Sequence, residues 1–239
     1  MAWRPGPGRQ RDRSSLLYWP LAWPFLLAAV LIATVLVALL LVGALTYALA
    51  RLGIPPATAA LVFLGCLLGS AINIPVARLH ATTVRIEPWI SAFGIRYFVP
   101  VRRDRSTVLA VNVGGALIPA ALSGYLIVHD RLGWRALAAV AVVGAAVFLI
   151  ARPVPGLGIA VPALLPGLFA VAAAVAFHPA AVAGLAYVSG TLGTLAGADL
   201  LNLGRVRRLG APVASIGGAG TFDGVFVAGI TAVLLASLL

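Results

Sequence analysis

The sequence predicts an all-α protein: a polytopic transmembrane helix bundle of about seven spans with a short cytoplasmic β-hairpin or amphipathic segment. Three observations predict it. The chain of 239 residues is 62% hydrophobic and only 10% charged, against roughly 25% charged in soluble domains. Its apolar stretches divide into runs near the roughly 20 residues that cross a bilayer. Its 17 basic residues are all arginine, set against six acids for a net charge of +11, and they fall between the apolar runs. That placement marks orientation and headgroup contact, and it excludes a nucleic-acid binder, whose arginines would share one folded face.

In chain order, residues 1–24 form a basic cytoplasmic tail with Arg4, Arg9, Arg11 and Arg13, and 25–239 form a single transmembrane domain. The first run, Phe25 to Leu49, is longer than the roughly 7 to 15 residues of a signal-peptide core and reads as an uncleaved span. The others are Ala57 to Val76, Val108 to Val128, Ala136 to Ile150, Ile159 to Phe177, Ala180 to Leu203 and Val213 to Leu239. With the N-terminus inside, only Arg51, Arg131 and Arg135 of the 17 arginines lie outside. The asymmetry predicts a multi-pass protein of the cell (inner) membrane with a cytoplasmic N-terminus and an external C-terminus.

The longest polar interruption is the cytoplasmic loop 80–106. Thr83 to Glu87 and Gly94 to Val101 are β-rich stretches of partly alternating polarity. Pro88 to Phe93 separates them, with Trp89 and Phe93 placed to sit in the interface. Farther on, prolines 153, 155, 162 and 166 read as breaks and kinks around spans four and five, and Gly156 to Gly158 as a tight turn.

Polar residues within apolar runs carry the functional information, because bare membrane helices need none. Asp199 lies about four residues before the cytoplasmic end of span six, and Asp223 about ten residues into span seven. At 1.5 Å per residue these depths are roughly 6 and 15 Å. Unwinding at Gly217, Gly218 and Gly220 would raise Asp223 toward Asp199. Asn73 at the end of span two and Asn112 at the start of span three lie at the same level, with Ser70 and Asn202 beside them. The asparagines suit helix-to-helix hydrogen bonds. The aspartates do not, since a carboxylate at the bilayer centre costs about 2.5 to 3.5 kcal/mol. Arg152, Arg205, Arg207 and Arg208 lie at the interface, where snorkelling brings them within reach of Asp199 but not of Asp223.

Other chemistry is thin. Cys66 is a lone cysteine that reads as a small core residue, and it excludes an internal disulfide and a cysteine-based metal or cluster site. His80 falls inside while His129 and His178 fall outside, so no metal site is expected. Without lysine, every Lys-dependent mechanism is excluded, and no cofactor motif is present. A weaker signal is internal similarity: Val111 to Ala116 (VNVGGA) aligns with Ala214 to Ala219 (ASIGGA), as in a parallel repeat of spans two and three in spans six and seven.

At GTLAGADLLNLG, SIGGAGTFDGVFVAGI and VNVGGALIP the chain resembles a family of uncharacterised multi-pass membrane proteins, a domain of unknown function of bacteria and archaea. The resemblance implies architecture and no chemistry. A looser resemblance is to intramembrane aspartyl proteases of the presenilin, signal-peptide-peptidase and prepilin-peptidase type. It rests on Asp199 and Asp223 in adjacent spans joined by the cytoplasmic loop Gly204 to Gly210, the second after a Gly-rich stretch. Phe222 stands where that family has a glycine before the second aspartate, and Pro162 to Leu164 is the chain's one Pro-Ala-Leu.

The first functional expectation is therefore an aspartyl intramembrane protease with Asp199 and Asp223 as catalytic residues and Asn73, Asn112, Asn202, Gly217, Gly218 and Gly220 as supporting or binding residues. The alternative is a proton- or cation-coupled transporter, and the third a non-catalytic assembly or sensor protein. The partners expected are the lipid bilayer and a transmembrane peptide or small-molecule substrate.

Overall fold

A computed structural model describes residues 19–90, 96–154, 158–162, 164–209, 212–218 and 224–239, with side chains described for these except 19–25, 81–105 and 207–209. The chain divides into two compact units, residues 1–43 and 44–239.

Within the first unit the described residues are helical, the beginning of α1 (Trp19–Arg51). From Leu26 to Val42 its leucines, isoleucine and valines are exposed around the whole helix. A helix apolar all round needs lipid or protein around it. Leu26–Arg51 is long and apolar enough to cross a membrane, and among the described residues it alone meets that test.

The second unit begins with the last turns of α1, where Leu45, Ala48 and Leu49 are buried. Its other helices are α2 (Pro56–Gly69), α3 (Ile118–His129), α4 (Trp134–Ile150), α5 (Leu165–Phe177), α6 (Val182–Thr194), the short α7 (Leu203–Leu209) and α8 (Gly224–Ala236). Two wider π-helical turns adjoin them: Val113–Leu117 leads into α3 and Leu195–Leu200 continues α6. Pro56 and Pro166 stand in the first turns of α2 and α5, where the missing N–H has no helical partner to lose. α6 is the central helix, packed on by α3, α4, α5 and α8. Leu185, Tyr187 and Val188 are completely enclosed there. Alanines 170, 174, 186, 228 and 232, none of them exposed, let the helices approach closely, as small residues do in membrane bundles. Cys66 is buried in the same core, as the sequence suggested.

The all-α expectation gives way to a mostly helical fold with two small sheets. The expected short hairpin is a long one: β1 (Asn73–Ile90) pairs antiparallel with β2 (Arg96–Asn112), from Asn73 opposite Asn112 to Ile90 opposite Arg96. The hairpin takes in residues 73–76 and 108–112, which hydropathy alone assigned to spans two and three. Ile74, Val76, Val108 and Val111 are β-branched and favour extended backbone as readily as helix. The register shifts between Pro75 and Ala77, a bulge at a proline on an edge strand. β5 (Val213–Ile216) joins β2 in parallel, giving the order β1-β2-β5. The expected helical start of span seven is therefore strand, and α8 begins only at Gly224. β3 (Arg152–Val154) and β4 (Gly158–Ala160) form a second, two-stranded sheet. Pro153 thus lies in a strand and Pro162 in coil, so both break helix as the sequence suggested. The Gly156–Gly158 turn falls mostly outside the described residues.

The other apolar helices have 10–17 residues, or about 15 to 26 Å at 1.5 Å per residue, against roughly 30 Å of hydrocarbon.

Candidate functional site

Asn112 ends β2 and caps the π turn that follows. Its backbone is extended (φ −77°, ψ 132°), and its Oδ1 accepts the Gly115 N–H at 2.7 Å. Its Nδ2 donates to the Ser70 carbonyl at 2.7 Å and to Asn73 Oδ1 at 3.1 Å. Both amide hydrogens are therefore committed, and one almost fully buried carboxamide ties together the end of α2, the start of β1 and the start of α3. Asn73 and Asn112 meet as a facing pair on a hairpin rather than on two helices. Asn73 Oδ1 accepts a second hydrogen bond, from Ser215 Oγ on β5.

Beyond β5 the chain turns at Gly217, which is buried and has φ +71°. A Cβ there would stand 2.7 Å from Ala116 Cβ and from the Gly115 carbonyl carbon, so the position requires glycine for space as well as conformation. The Gly217 N–H donates to Asp199 Oδ2 at 2.8 Å. Gly218 rests on Asn112, where a Cβ would stand 3.0 Å from the Asn112 Cβ. Four of the sequence-derived stations, Asn73, Asn112, Gly217 and Gly218, thus converge with Asp199 on one junction.

Asp199 is half-buried on the π turn that extends α6. Widened turns leave backbone groups without their usual partners and recur at functional sites. Here Asn202, completely buried, donates through Nδ2 to the Gly197 carbonyl at 2.8 Å. Its Oδ1 accepts from Arg205 Nη1 at 3.0 Å, and the Arg205 guanidinium lies 4.8 Å from the centre of the Phe148 ring. Asn202 therefore supports the turn that presents Asp199, and Arg205 is held by Asn202 and Phe148 rather than reaching the carboxylate. A small apolar cluster of Ala116, Leu195 and Val225, flanked by Val111, Leu192 and Ile216, packs between these elements. Asp223 and Gly220 lie outside the described residues.

Sequence reasoning missed Ser215. Its signal was present in the aligned repeat, where Ser215 occupies the position of Asn112, each two residues before a glycine pair.

The chain belongs to the family described as protein of unknown function (DUF1614), whose model matches residues 67–235. No curated protein and no solved structure matches it.

Proposed function

We propose that this protein is an integral membrane aspartyl hydrolase that cleaves peptide segments, with Asp199 and Asp223 as its acid pair. The observation that carries the reading is the Gly217 N–H bond to Asp199. It fixes one carboxylate against the turn at Gly217, and the second aspartate follows only six residues later in the sequence. Two carboxyls within about 3 to 5 Å in low dielectric share one proton and titrate as a unit. The charged member takes a proton from water as the water oxygen attacks the scissile carbonyl carbon. The protonated member donates to the carbonyl oxygen, and collapse of the tetrahedral adduct expels the amine with a returned proton. Asn112, fully committed to its own partners, supports the site and leaves the polarising role to the carboxyl pair. The hairpin β1-β2 offers strand edge to an extended substrate segment.

The same reading takes the chain across the membrane seven times, N-terminus inside, on the arginine asymmetry. The short helices cross where the bilayer is locally thinned, the usual response to a short hydrophobic stretch.

A transporter reading draws on a different observation. The strand, glycine pair and helix that run from β2 into α3 recur from β5 into α8, with the two strands parallel. Repeats with broken helices build ion and substrate sites in transporters.

The deciding experiment incubates the purified, reconstituted protein and its Asp199→Asn and Asp223→Asn variants with transmembrane peptides, reading products by mass spectrometry. A parallel arm measures proton-coupled uptake into vesicles. Cleavage lost in both variants is the expected result. Cleavage retained in either single variant overturns the acid pair, and uptake lost without any cleavage favours the transporter.

A further inference from the structure

We propose that Ser215, Asn73 and Asn112 are positioning residues that hold the Gly217 amide on the Asp199 carboxylate; the inference rests on Asp199 being a working carboxylate of the site described above. Backbone pairing of β5 with β2 runs from Val213 opposite Val108 to Ile216 opposite Val111. Gly217 and Gly218 lie beyond the last pair, so the ladder does not fix the direction of the Gly217 N–H. Two restraints follow, a backbone bond across the turn from the Gly218 N–H to the Ser215 carbonyl at 3.4 Å and the Ser215 hydroxyl, which donates to Asn73 Oδ1. β1 and β5 lie on opposite sides of β2, so this bond crosses the sheet from one edge strand to the other and pins β5 just before the turn.

Asn73 is itself held, because its Oδ1 also accepts from Asn112 Nδ2 at 3.1 Å. Asn112 is fixed by two backbone partners at 2.7 Å, the Ser70 carbonyl and the Gly115 N–H. On the other side of the turn Gly218 lies directly against the Asn112 side chain. The turn at Gly217 is thus bracketed, by the Ser215 bond to Asn73 before it and by the Asn112 contact after it, and the two asparagines are hydrogen-bonded to each other. Gly217 N–H to Asp199 is the product of that bracketing. The chain of contacts runs Asn112, Asn73, Ser215, Gly217, Asp199, and it joins the hairpin to the π turn of α6 without any charged group except the carboxylate it serves. A serine at 215 suits the role, since it is half-buried on a strand and its hydroxyl meets the longer Asn73 side chain over the intervening strand β2.

The test reads Asp199 directly and needs no turnover. The full chain in vesicles is treated at one fixed pH with a hydrophobic carbodiimide, which reacts with protonated carboxyl groups, and the modified fraction at Asp199 is followed by peptide mass spectrometry. Ser215→Ala and Asn112→Ala are expected to label Asp199 about tenfold faster, the scale of one lost hydrogen bond to a charged group, because the carboxyl freed from its backbone donor is open to the reagent. Ser215→Thr keeps the hydroxyl and suits a strand, so it should label at the parent rate. Where Asn112→Ala does not fold, the smaller Ser215→Ala change decides alone. Parent-rate labelling in Ser215→Ala, or accelerated labelling in Ser215→Thr, overturns the proposal. Altered labelling without peptide cleavage by the parent protein leaves the positioning role standing and removes the hydrolase.

Discussion

Two strand–glycine–helix junctions lie side by side in the packed unit, and they are capped differently. In the first, β2 ends at Asn112, Gly114 and Gly115 follow, and a π turn leads into α3. The N–H of Gly115 is taken by the carboxamide of Asn112 itself, three residues back along the same chain. In the second, β5 ends at Ile216 and Gly217 and Gly218 follow. There the Gly218 N–H, in the position of Gly115, also turns three residues back, to the Ser215 carbonyl at 3.4 Å, while the Gly217 N–H before it is taken by the carboxylate of Asp199, 18 residues away on another element. A local neutral cap is sufficient to build such a junction, as the first one demonstrates. The second uses a charged acceptor where an asparagine would satisfy the same N–H, at the cost of desolvating a carboxylate. The second junction thus adds a charged, non-local partner to a local turn, and this difference is what supports the proposal that Asp199 is functional and Asn112 structural.

The sharpest way to break the first junction is Gly114→Ala. A Cβ at Gly114 would overlap the Cys66 carbonyl oxygen and the Ser70 nitrogen, both backbone atoms with little room to move. A loss of about 3 kcal/mol or more, in the range of severe overpacking, is expected, read as a fall in midpoint on thermal unfolding in detergent. Gly217→Ala combines a positive φ with contacts at 2.7 Å, and a loss of about 2 to 4 kcal/mol is expected from strain plus overlap. A parent-like midpoint for either would mean that the junctions are looser than described.

Next comes the direct comparison of caps. Asn112→Ala leaves the buried Gly115 N–H and Ser70 carbonyl unpaired and should destabilise by about 2 kcal/mol. Asp199→Asn keeps an acceptor for Gly217 and removes a carboxylate, so stability should hold or rise by up to about 1 kcal/mol while the proposed peptide cleavage is lost. Equal destabilisation by the two substitutions would erase the contrast. The smallest effect is expected at Tyr187→Phe. The Tyr187 hydroxyl is buried without a hydrogen-bond partner among the described residues, so its removal should change stability by no more than about 1 kcal/mol, in the favourable direction. A clear loss would reveal a partner for that hydroxyl, such as a bound water.

Much of the site was legible because polar atoms in an apolar chain have few places to go. Asn73, Asn112 and Asp199 stood out by contrast with their surroundings, and the glycines at 217 and 218 announced broken helix. What hydropathy did not distinguish was strand from helix at 73–76, 108–112 and 213–216, since a run of Ile, Val and Ala reads as apolar in either conformation. The decision there was made by partners distant in sequence: β2 selects β5 from 105 residues away. Asn202 was recognised as polar, but its role at Gly197 depends on a π turn that no local pattern in LAGADL announces. Ser215 was overlooked because serine is common in membrane helices and carries no charge.

The parallel pairing of β2 with β5 also bears on the order of assembly. Parallel strands close only after the intervening chain has been made and placed, and contacts of such long separation form slowly. During synthesis β2 waits with one edge open until Val213–Ile216 arrives, by which time α3 to α6 have been made. The Asp199 turn, made before its glycine partner, acquires its N–H donor only in this last step. A nascent chain interrupted before residue 213 therefore carries the first junction without the second, and the Asp199 carboxylate is without its Gly217 donor until that segment has been made.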